Sequence, residues 1–308
     1  MDIRQIQYFI RVYEERSFSR AAERANVVQP ALSMQIRRLE EELGTSLFDR
    51  TPKGIEPTIA GDRFYQLCLP IVHSIADARQ EIMELGSGTR VAGSLRVGTP
   101  PSVNRGILGK VLSEYAERYP EVDVSVTEAY SDTLTALVQQ GDLDFALGAA
   151  PNSNTGLYHR AALRDRLMLV SSQAINGASL TPCRLRDLRD LKLIVPSRKT
   201  FLGSSVDSYI SSGELRPKRT MEIEGVTASL EMARNSDWVT IFPFISMHRD
   251  IRRQEFYVYP VVDPPMSFNL FYVFDPRRPL TAASRAFSEA LETALREIDA
   301  DRQVLLGD

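Results

Sequence analysis

The sequence predicts two unlike domains: an N-terminal all-α winged helix-turn-helix with a long linker helix, and a C-terminal α/β domain of two lobes. Three observations lead to this fold class. Two short amphipathic segments flank a tight turn within residues 17–48, apolar residues recur at heptad spacing over residues 64–85, and short apolar strands alternate with helices from residue 94 onwards. The predicted boundaries are 1–58 for the winged helix-turn-helix, 59–88 for the linker helix, and 92–308 for the α/β domain. Lobe I comprises 92–162 and 268–308, and lobe II comprises 163–267.

The stretch from Ser17 to Phe48 predicts the helix-turn-helix. Two sets of apolar residues recur at helical spacing: Phe18, Ala21, Ala22 and Ala25, then Leu32, Ile36, Leu39 and Leu43. Residues 26–29 separate them, and Pro30 follows where the first turn of a helix tolerates a residue without an N–H. Small Ala21 and Ala22 allow a second helix to cross closely. On periodicity alone, a helical hairpin with a solvated charged face is an equally open interpretation. A preceding helix, 2–15, is predicted as scaffold that buries Ile3, Ile6, Phe9, Ile10 and Tyr13.

The outward face of the second helix carries residue types that read double-stranded DNA. Glutamine pairs with adenine and serine with several bases, and the apolar Pro30 and Met34 can touch a thymine methyl group. Arg37 and Arg38 suit phosphate. The hairpin predicted after Phe48 is interpreted as a wing that reaches the DNA backbone, with a solvated loop as the alternative. The candidate DNA-binding residues are Ser17, Ser19, Gln29, Pro30, Ser33, Met34, Arg37, Arg38, Arg50 and Lys53.

The linker helix is predicted to form a homodimer. It begins after Thr58 as its N-cap, and its apolar residues alternate at spacings of four and three: Phe64, Cys68, Ile71, Ile75, Ala78, Ile82 and Leu85. A helix docked on its own domain shows a similar stripe, so that alternative stays open. A dimer presents two reading heads to a two-fold DNA site.

Composition bounds the remaining possibilities. The net charge is −3, and residues 1–65 carry equal numbers of basic and acidic side chains, so DNA binding depends on where the arginines lie. No signal peptide and no apolar run of transmembrane length is visible, which predicts a cytoplasmic protein without a membrane partner. The two cysteines, Cys68 and Cys183, form no CxxC pair and are expected to be inert buried thiols. No metal site and no cofactor is expected.

Residues 94–308 predict the α/β domain. Strands are expected at 95–98, 122–127 and 145–148 with helices at 105–119 and 131–140, and again at 193–195, 220–223 and 239–242 with helices at 203–212 and 226–235. Strand 268–274 and helix 282–298 then return to complete lobe I. This alternation predicts parallel sheets and two lobes with a cleft between them.

The N-terminal sequence resembles the DNA-binding module of the LysR-type transcriptional regulators. The resemblance is carried by SFSRAAE, QPALS, QIRRLEEELG and LFDR in that order and spacing, with Val28 and Met34 departing from the residues most frequent in the family. SLRVGTPPS, DLDFALG and VTIFPF resemble the family's effector domain, which is similar in fold to the periplasmic binding proteins of type 2. The resemblance implies a transcriptional regulator controlled by a small effector. It further implies dimers that pair into homotetramers, and contact with RNA polymerase.

Two turns of the α/β domain are candidate effector contacts. Each follows a strand and opens a helix, where unpaired N–H groups and hydroxyls favour an anion, and the resemblance places effector contacts in these same turns. Nearby aromatic residues favour a small organic carboxylate, aromatic carboxylates included. The candidate effector-binding residues are Thr99, Ser102, Val103, Thr200, Phe201, Leu202, Gly203 and Phe242. The alternative is plain helix capping by the hydroxyls.

Two other classes of protein fit the sequence less well. An enzyme is disfavoured because His73, His159 and His248 lie far apart without metal-ligand spacing, and GxSxG, GxxxxGK and HExxH motifs are absent. A solute-binding receptor or sensor without a DNA role would suit the cleft, but such receptors are exported and no export signal is visible.

Overall fold

The computed structural model describes residues 1–51, 54–87, 91–149 and 156–307. Contacts divide the chain into two compact units, Met1–Thr89 and Arg90–Asp308. Each unit has its own buried core, which agrees with the predicted change of architecture after the linker helix. None of the described helices is long and apolar enough to span a membrane.

The described residues of the N-terminal unit form four helices and two paired strands. Its elements are α1 (Ile3–Glu15), α2 (Phe18–Arg24), α3 (Gln29–Leu43), β1 (Phe48–Thr51), β2 (Gly54–Pro57) and α4 (Ile59–Ser87). Asp2 and Gln5 form a reciprocal capping box at α1. The Thr58 hydroxyl accepts a hydrogen bond from the Gly61 N–H at 3.0 Å, so the predicted cap of α4 is confirmed.

Aromatic rings hold the helices of this unit together. The fully buried Phe9 ring lies 5.3 Å from Phe48 and 4.9 Å from Phe64, measured between ring centroids, so α1 contacts both β1 and α4. The prediction that Ile3 is buried is wrong, because Ile3 opens the first turn of α1 and is exposed. Leu43 is exposed as well, since it ends α3 just before Gly44 turns the chain away in a left-handed conformation.

The apolar stripe of α4 changes its environment along the helix. Cys68 is buried within the N-terminal unit, and Phe64 packs on Phe9 of α1, so the first part of the stripe belongs to this unit's own core. Ile71 and Ile82 are exposed. The predicted positions 78 and 85 lie outside the described side chains.

The C-terminal unit contains nine strands and seven α-helices among its described residues. Its elements are β3 (Gly93–Thr99), α5 (Pro101–Val103), a π-helical turn (Asn104–Leu108), α6 (Gly109–Arg118), β4 (Val122–Glu128), α7 (Ser131–Gln140), β5 (Phe145–Gly148), β6 (Tyr158–Ser171), a 3₁₀ turn (Leu185–Asp187), β7 (Lys192–Val195), α8 (Phe201–Ser211), β8 (Arg219–Glu222), α9 (Val226–Arg234), β9 (Trp238–Pro243), α10 (Phe244–Arg253), β10 (Tyr257–Pro260), β11 (Ser267–Phe274) and α11 (Ala282–Leu306).

The strands form one mixed sheet. Its order is β4-β3-β5-β11-β6-β9-β7-β8, with β10 also paired to β6. Strand β3 is parallel to β4 and β5, and β7 is parallel to β8 and β9, as predicted for the two halves. The prediction of wholly parallel sheets is wrong, because β6, β10 and β11 pair antiparallel. Strand β6 pairs with β11 along its first part and with β9 and β10 along its second, so it runs from one parallel half into the other.

Helix α10 locks against the π-helical turn. The Arg105 guanidinium donates to the buried Asp250 carboxylate, with Nη2 2.8 Å from Oδ1, and also to the Ser246 carbonyl. A Cβ atom at Gly106 would lie 2.3 Å from the Ile245 carbonyl oxygen, so this backbone approach requires glycine. The turn that follows Ser102 is therefore fixed to the helix that follows β9.

A carboxylate lies inside this packing. Asp165 on β6 is 1% exposed and accepts hydrogen bonds from the Ile245 and Arg166 N–H groups, each at 2.8 Å. Burial raises the pKa of Asp165 to about 7, although these two donors favour the ionised form.

Candidate functional site

The helix-turn-helix forms where it was predicted. Ala21 and Ala22 of α2 are buried beneath α3, whose apolar stripe of Leu32, Ile36 and Leu39 is buried in return. Asn26 adopts a left-handed backbone conformation in the turn, which asparagine tolerates better than most residues. The Ser17 hydroxyl accepts a hydrogen bond from the Arg20 N–H at 3.4 Å and caps α2. Ser19, two residues further on, is exposed.

The outward face of α3 carries the predicted DNA-reading residues. Gln29, Pro30, Met34, Arg37 and Arg38 are exposed and Ser33 is half-buried. The Gln29 Nε2 donates to the Ser33 Oγ at 3.2 Å, which holds these two polar side chains together.

The two arginines on this face differ in their ion pairing. Arg37 pairs with Glu41 at 3.1 Å through an exposed contact that water and salt weaken, whereas Arg38 makes no ion pair within the described part of the chain. The Glu40 carboxylate accepts from the Leu47 and Phe48 N–H groups and so anchors the start of the wing.

The wing is the antiparallel pair of β1 and β2. Arg50 lies within β1, opposite Ile55, and its side chain is outside the described atoms. The predicted contact Lys53 lies outside the described residues.

A cavity opens between the two parallel halves of the C-terminal sheet. Its volume is about 70 Å³. The cavity is mainly apolar, with four hydroxyl side chains and one carboxylate, and its lining residues are Pro100, Pro101, Ser102, Tyr130, Ser131, Pro196, Thr200, Phe201, Leu202, Glu224, Val226, Phe242, Pro243 and Phe268. Both predicted turns therefore meet here.

Ser102 provides the free polar group of the first turn. It is 8% exposed, and neither its hydroxyl nor its N–H has a hydrogen-bond partner among the described residues. Thr99 and Val103 are misplaced in the prediction, because neither lines the cavity. Thr99 is fully buried and its hydroxyl donates to Asn104, and Val103 is fully buried in the core.

The second turn uses most of its polar groups locally. The Thr200 hydroxyl donates to the Ser197 carbonyl at 2.9 Å and accepts from the Gly203 N–H at 3.0 Å. Gly203 does not line the cavity, contrary to the prediction, because it packs against the Ser197 carbonyl, where a Cβ atom would clash. The Leu202 N–H has no acceptor in the described ranges. Phe201 faces Phe268 with ring centroids 5.8 Å apart and closes one wall.

Tyr130 and Glu224 are cavity residues that the sequence interpretation missed. They follow β4 and β8, and the Tyr130 hydroxyl donates to the Glu224 carbonyl at 2.6 Å, which joins the two halves across the cavity. Burial raises the pKa of Tyr130, so it stays a neutral donor. Glu224 is the one charged residue in the described lining. Applying the rule that ligands lie beyond strand carboxyl ends to all parallel strands would have found both residues.

Both cysteines are buried, as predicted. Burial raises the pKa of Cys68 to about 11 and that of Cys183 to about 12. Neither thiol is therefore ionised at neutral pH, which makes both unreactive.

One unit holds a helix-turn-helix with exposed polar and basic side chains, and the other is an α/β unit with a cavity, which is the composition of a transcriptional regulator with an effector-binding domain. Comparison with known families identifies it further. Residues 3–62 match the bacterial regulatory helix-turn-helix protein, lysR family, and residues 88–296 match the LysR substrate binding domain. The chain belongs to the LysR family and is not an enzyme.

Individual proteins similar to this chain are also transcriptional regulators of this family. The HTH-type transcriptional regulator BenM of Acinetobacter baylyi is 26% identical over 268 residues, which cover 86% of each chain. The HTH-type transcriptional regulator BbuR of Bordetella bronchiseptica is 30% identical over 233 residues, covering 76% of this chain and 71% of BbuR. The crystal structure of full-length CbnR with its target DNA matches with a TM-score of 0.53 and 22% identity, covering 96% of this chain and 100% of that one, and shares the fold.

Proposed function

We propose that this regulator binds double-stranded DNA as a homodimer and that a small organic carboxylate in the cavity changes that binding. The single observation that carries the DNA part is the exposed face of α3, where polar and basic side chains converge although the unit's net charge is near zero. In helix-turn-helix proteins this end of the helix meets base edges. The protein is expected to act in the cytoplasm, in contact with RNA polymerase.

The dimer is proposed to form through α4. Ile71 and Ile82 are exposed, lie eleven residues apart, and therefore share one helix face, which a second copy of α4 would cover. The pairing starts beyond Cys68, since that residue already packs within its own unit. Pairing of dimers into homotetramers is the family expectation for the full assembly.

The effector is proposed to have an apolar body and a carboxylate. The cavity wall of prolines and phenylalanines suits the body, and the unpaired N–H groups of Ser102 and Leu202 with the Ser102 hydroxyl suit the carboxylate. Pockets that enclose drug-sized ligands measure about 300–1,000 Å³. Binding to a cavity of about 70 Å³ therefore requires the two halves of the sheet to separate, and a ligand that favours one arrangement shifts the population towards it.

Footprinting of the DNA beside the protein's own gene, across a salt series, tests the DNA role. Two protected patches about one helical turn or its multiples apart are expected, with protection lost as salt rises. Absence of protection at low salt by folded protein would contradict DNA reading.

A panel of carboxylates, each paired with its neutral amide, tests the effector class. The acids are expected to alter the footprint and to raise the unfolding temperature, whereas the amides do neither. Ser102→Ala should weaken binding about tenfold, because a hydrogen bond to a charged group is lost. Ser204→Ala is the control, since that exposed serine on α8 does not line the cavity.

Glu224 tests the proposed placement of an anionic effector. A nearby carboxylate repels an anion by about 1 kcal/mol in a largely aqueous setting. Glu224→Gln should therefore tighten carboxylate binding about fivefold. Weaker carboxylate binding in this variant would contradict the proposed placement of the anion near Glu224.

A further inference from the structure

Large apolar side chains lie exposed at the N-terminal end of α3. Val28 is the N-cap residue and is 70% exposed, and Met34 is 48% exposed. Pro30, between them, is exposed as well. Single exposed apolar residues are ordinary on protein surfaces, but here three follow one another closely at the start of one helix.

Neither of these two side chains belongs to the buried core of the N-terminal unit. Val28 makes no capping hydrogen bond, although serine, threonine or asparagine at an N-cap stabilises a helix by about 1 kcal/mol. Met34 lies off the stripe of Leu32, Ile36 and Leu39 that α3 buries in the core. Neither helix capping nor burial in the core therefore accounts for apolar residues at these positions.

The polar groups near these apolar residues are those of a DNA-reading surface. Gln29 and Ser33 are hydrogen-bonded to each other between the two apolar residues, and Arg37 and Arg38 lie one turn beyond Met34. In the major groove every base edge offers hydrogen-bonding groups, and only thymine adds an apolar group, the C5-methyl. Apolar side chains set among polar and basic readers match that group.

We infer that Val28 and Met34 recognise thymine methyl groups, so that the operator half-site is selected at these two positions by methyl contact. The inference rests on the proposed function, DNA binding by α3, and adds the chemical group on the DNA that two of its residues contact. Burying a methyl-sized group contributes about 0.8 kcal/mol, which corresponds to about fourfold in affinity.

Replacing thymine by uracil tests the inference, because uracil keeps the hydrogen-bonding edge and lacks the methyl group. Each thymine of the footprinted half-site is replaced singly, and binding of the full-length protein is measured by fluorescence anisotropy. About fourfold weaker binding is expected at one thymine for each residue. Met34→Gln should lose the sensitivity at one position and Val28→Thr at another. Met34→Gln should keep the wild-type unfolding temperature within about 2 °C because its site is exposed, whereas Val28→Thr should raise it by a few degrees because the new hydroxyl caps α3.

Val304→Thr is the matched control, since Val304 is an exposed valine on α11, in the other unit, and should leave the uracil profile unchanged. Wild-type binding that is indifferent to every uracil would overturn the inference while the DNA-binding role stands. A variant that keeps the full wild-type sensitivity overturns the assignment for its residue. Absence of any protected DNA overturns both the proposed function and this inference.

Discussion

The buried carboxylate of Asp165 makes the stability of the C-terminal unit depend on pH. Burial raises its pKa to about 7, whereas an aspartate in an unfolded chain titrates near 3.9. The native state therefore holds the proton more tightly than the unfolded chain. The resulting stabilisation is complete below about pH 4 and is lost as the pH rises through about 7.

The size of the effect follows from these two values. Between pH 5 and pH 8 the linkage relation gives a loss of about 2–3 kcal/mol in the free energy of unfolding. Asparagine cannot ionise, so the stability of Asp165→Asn lacks this pH dependence. Any destabilisation caused by the substitution itself is the same at every pH. The stability difference between the two proteins should therefore shift by about 2–3 kcal/mol over this range, in favour of the variant at high pH.

Urea unfolding at pH 5, 6, 7 and 8 measures this difference. Trp238 is the chain's one tryptophan, is buried on β9, and reports unfolding of the C-terminal unit alone. Asp187→Asn replaces an exposed carboxylate in the same unit and serves as the control. A difference between wild type and Asp165→Asn that stays constant from pH 5 to pH 8 would refute the reasoning.

Three further substitutions test contacts within each unit. Gly106→Ala places a Cβ atom 2.3 Å from the Ile245 carbonyl oxygen and should destabilise by about 1–3 kcal/mol; an unchanged thermal midpoint would contradict the close approach. Arg105→Ala leaves the buried Asp250 carboxylate without its partner, so urea unfolding should show a loss of about 3–5 kcal/mol, and a loss below 1 kcal/mol would mean that water replaces the guanidinium. Thr58→Ala removes the cap of α4 and should cost about 1 kcal/mol in the helical unfolding transition followed by circular dichroism; Thr58→Ser should restore it.

Local signals explain which elements could be predicted from the sequence. Helix α7 was predicted with its observed bounds, because Gly141 supplies a left-handed stop at its end. Strand β6 was not predicted, since its two ends pair with different strands and its charged first half lacks one regular alternation. Helix α10 was not predicted either. It follows β9 without a break, so its apolar residues look like a continuation of the strand and obscure the change to helical spacing.

The two predicted sites differ in how much of their geometry could be predicted, again because only local signals can be read from the sequence. Most of the candidate DNA-reading residues lie on α3, so helical spacing from Gln29 to Arg38 was enough to predict that their side chains face outward. The cavity is assembled from segments far apart in the chain, and the sequence does not show which side of a turn faces inward. Of the predicted effector contacts, Ser102 lines the cavity and Val103 beside it does not, while Tyr130 lines the cavity without having been predicted.

The path of the chain through the C-terminal unit has a consequence for synthesis. Helix α11 covers the half of the sheet that begins with β3: the Tyr115 hydroxyl donates to the Ala283 carbonyl at 2.8 Å, and the Phe287 ring packs on Tyr115 and Phe145. That half cannot close until the ribosome has passed Ala282, whereas the N-terminal unit has its own core and can fold much earlier. A nascent chain interrupted before α11 would have a folded helix-turn-helix unit but no complete effector-binding domain. Its unfinished sheet would expose apolar residues that chaperones and proteases recognise.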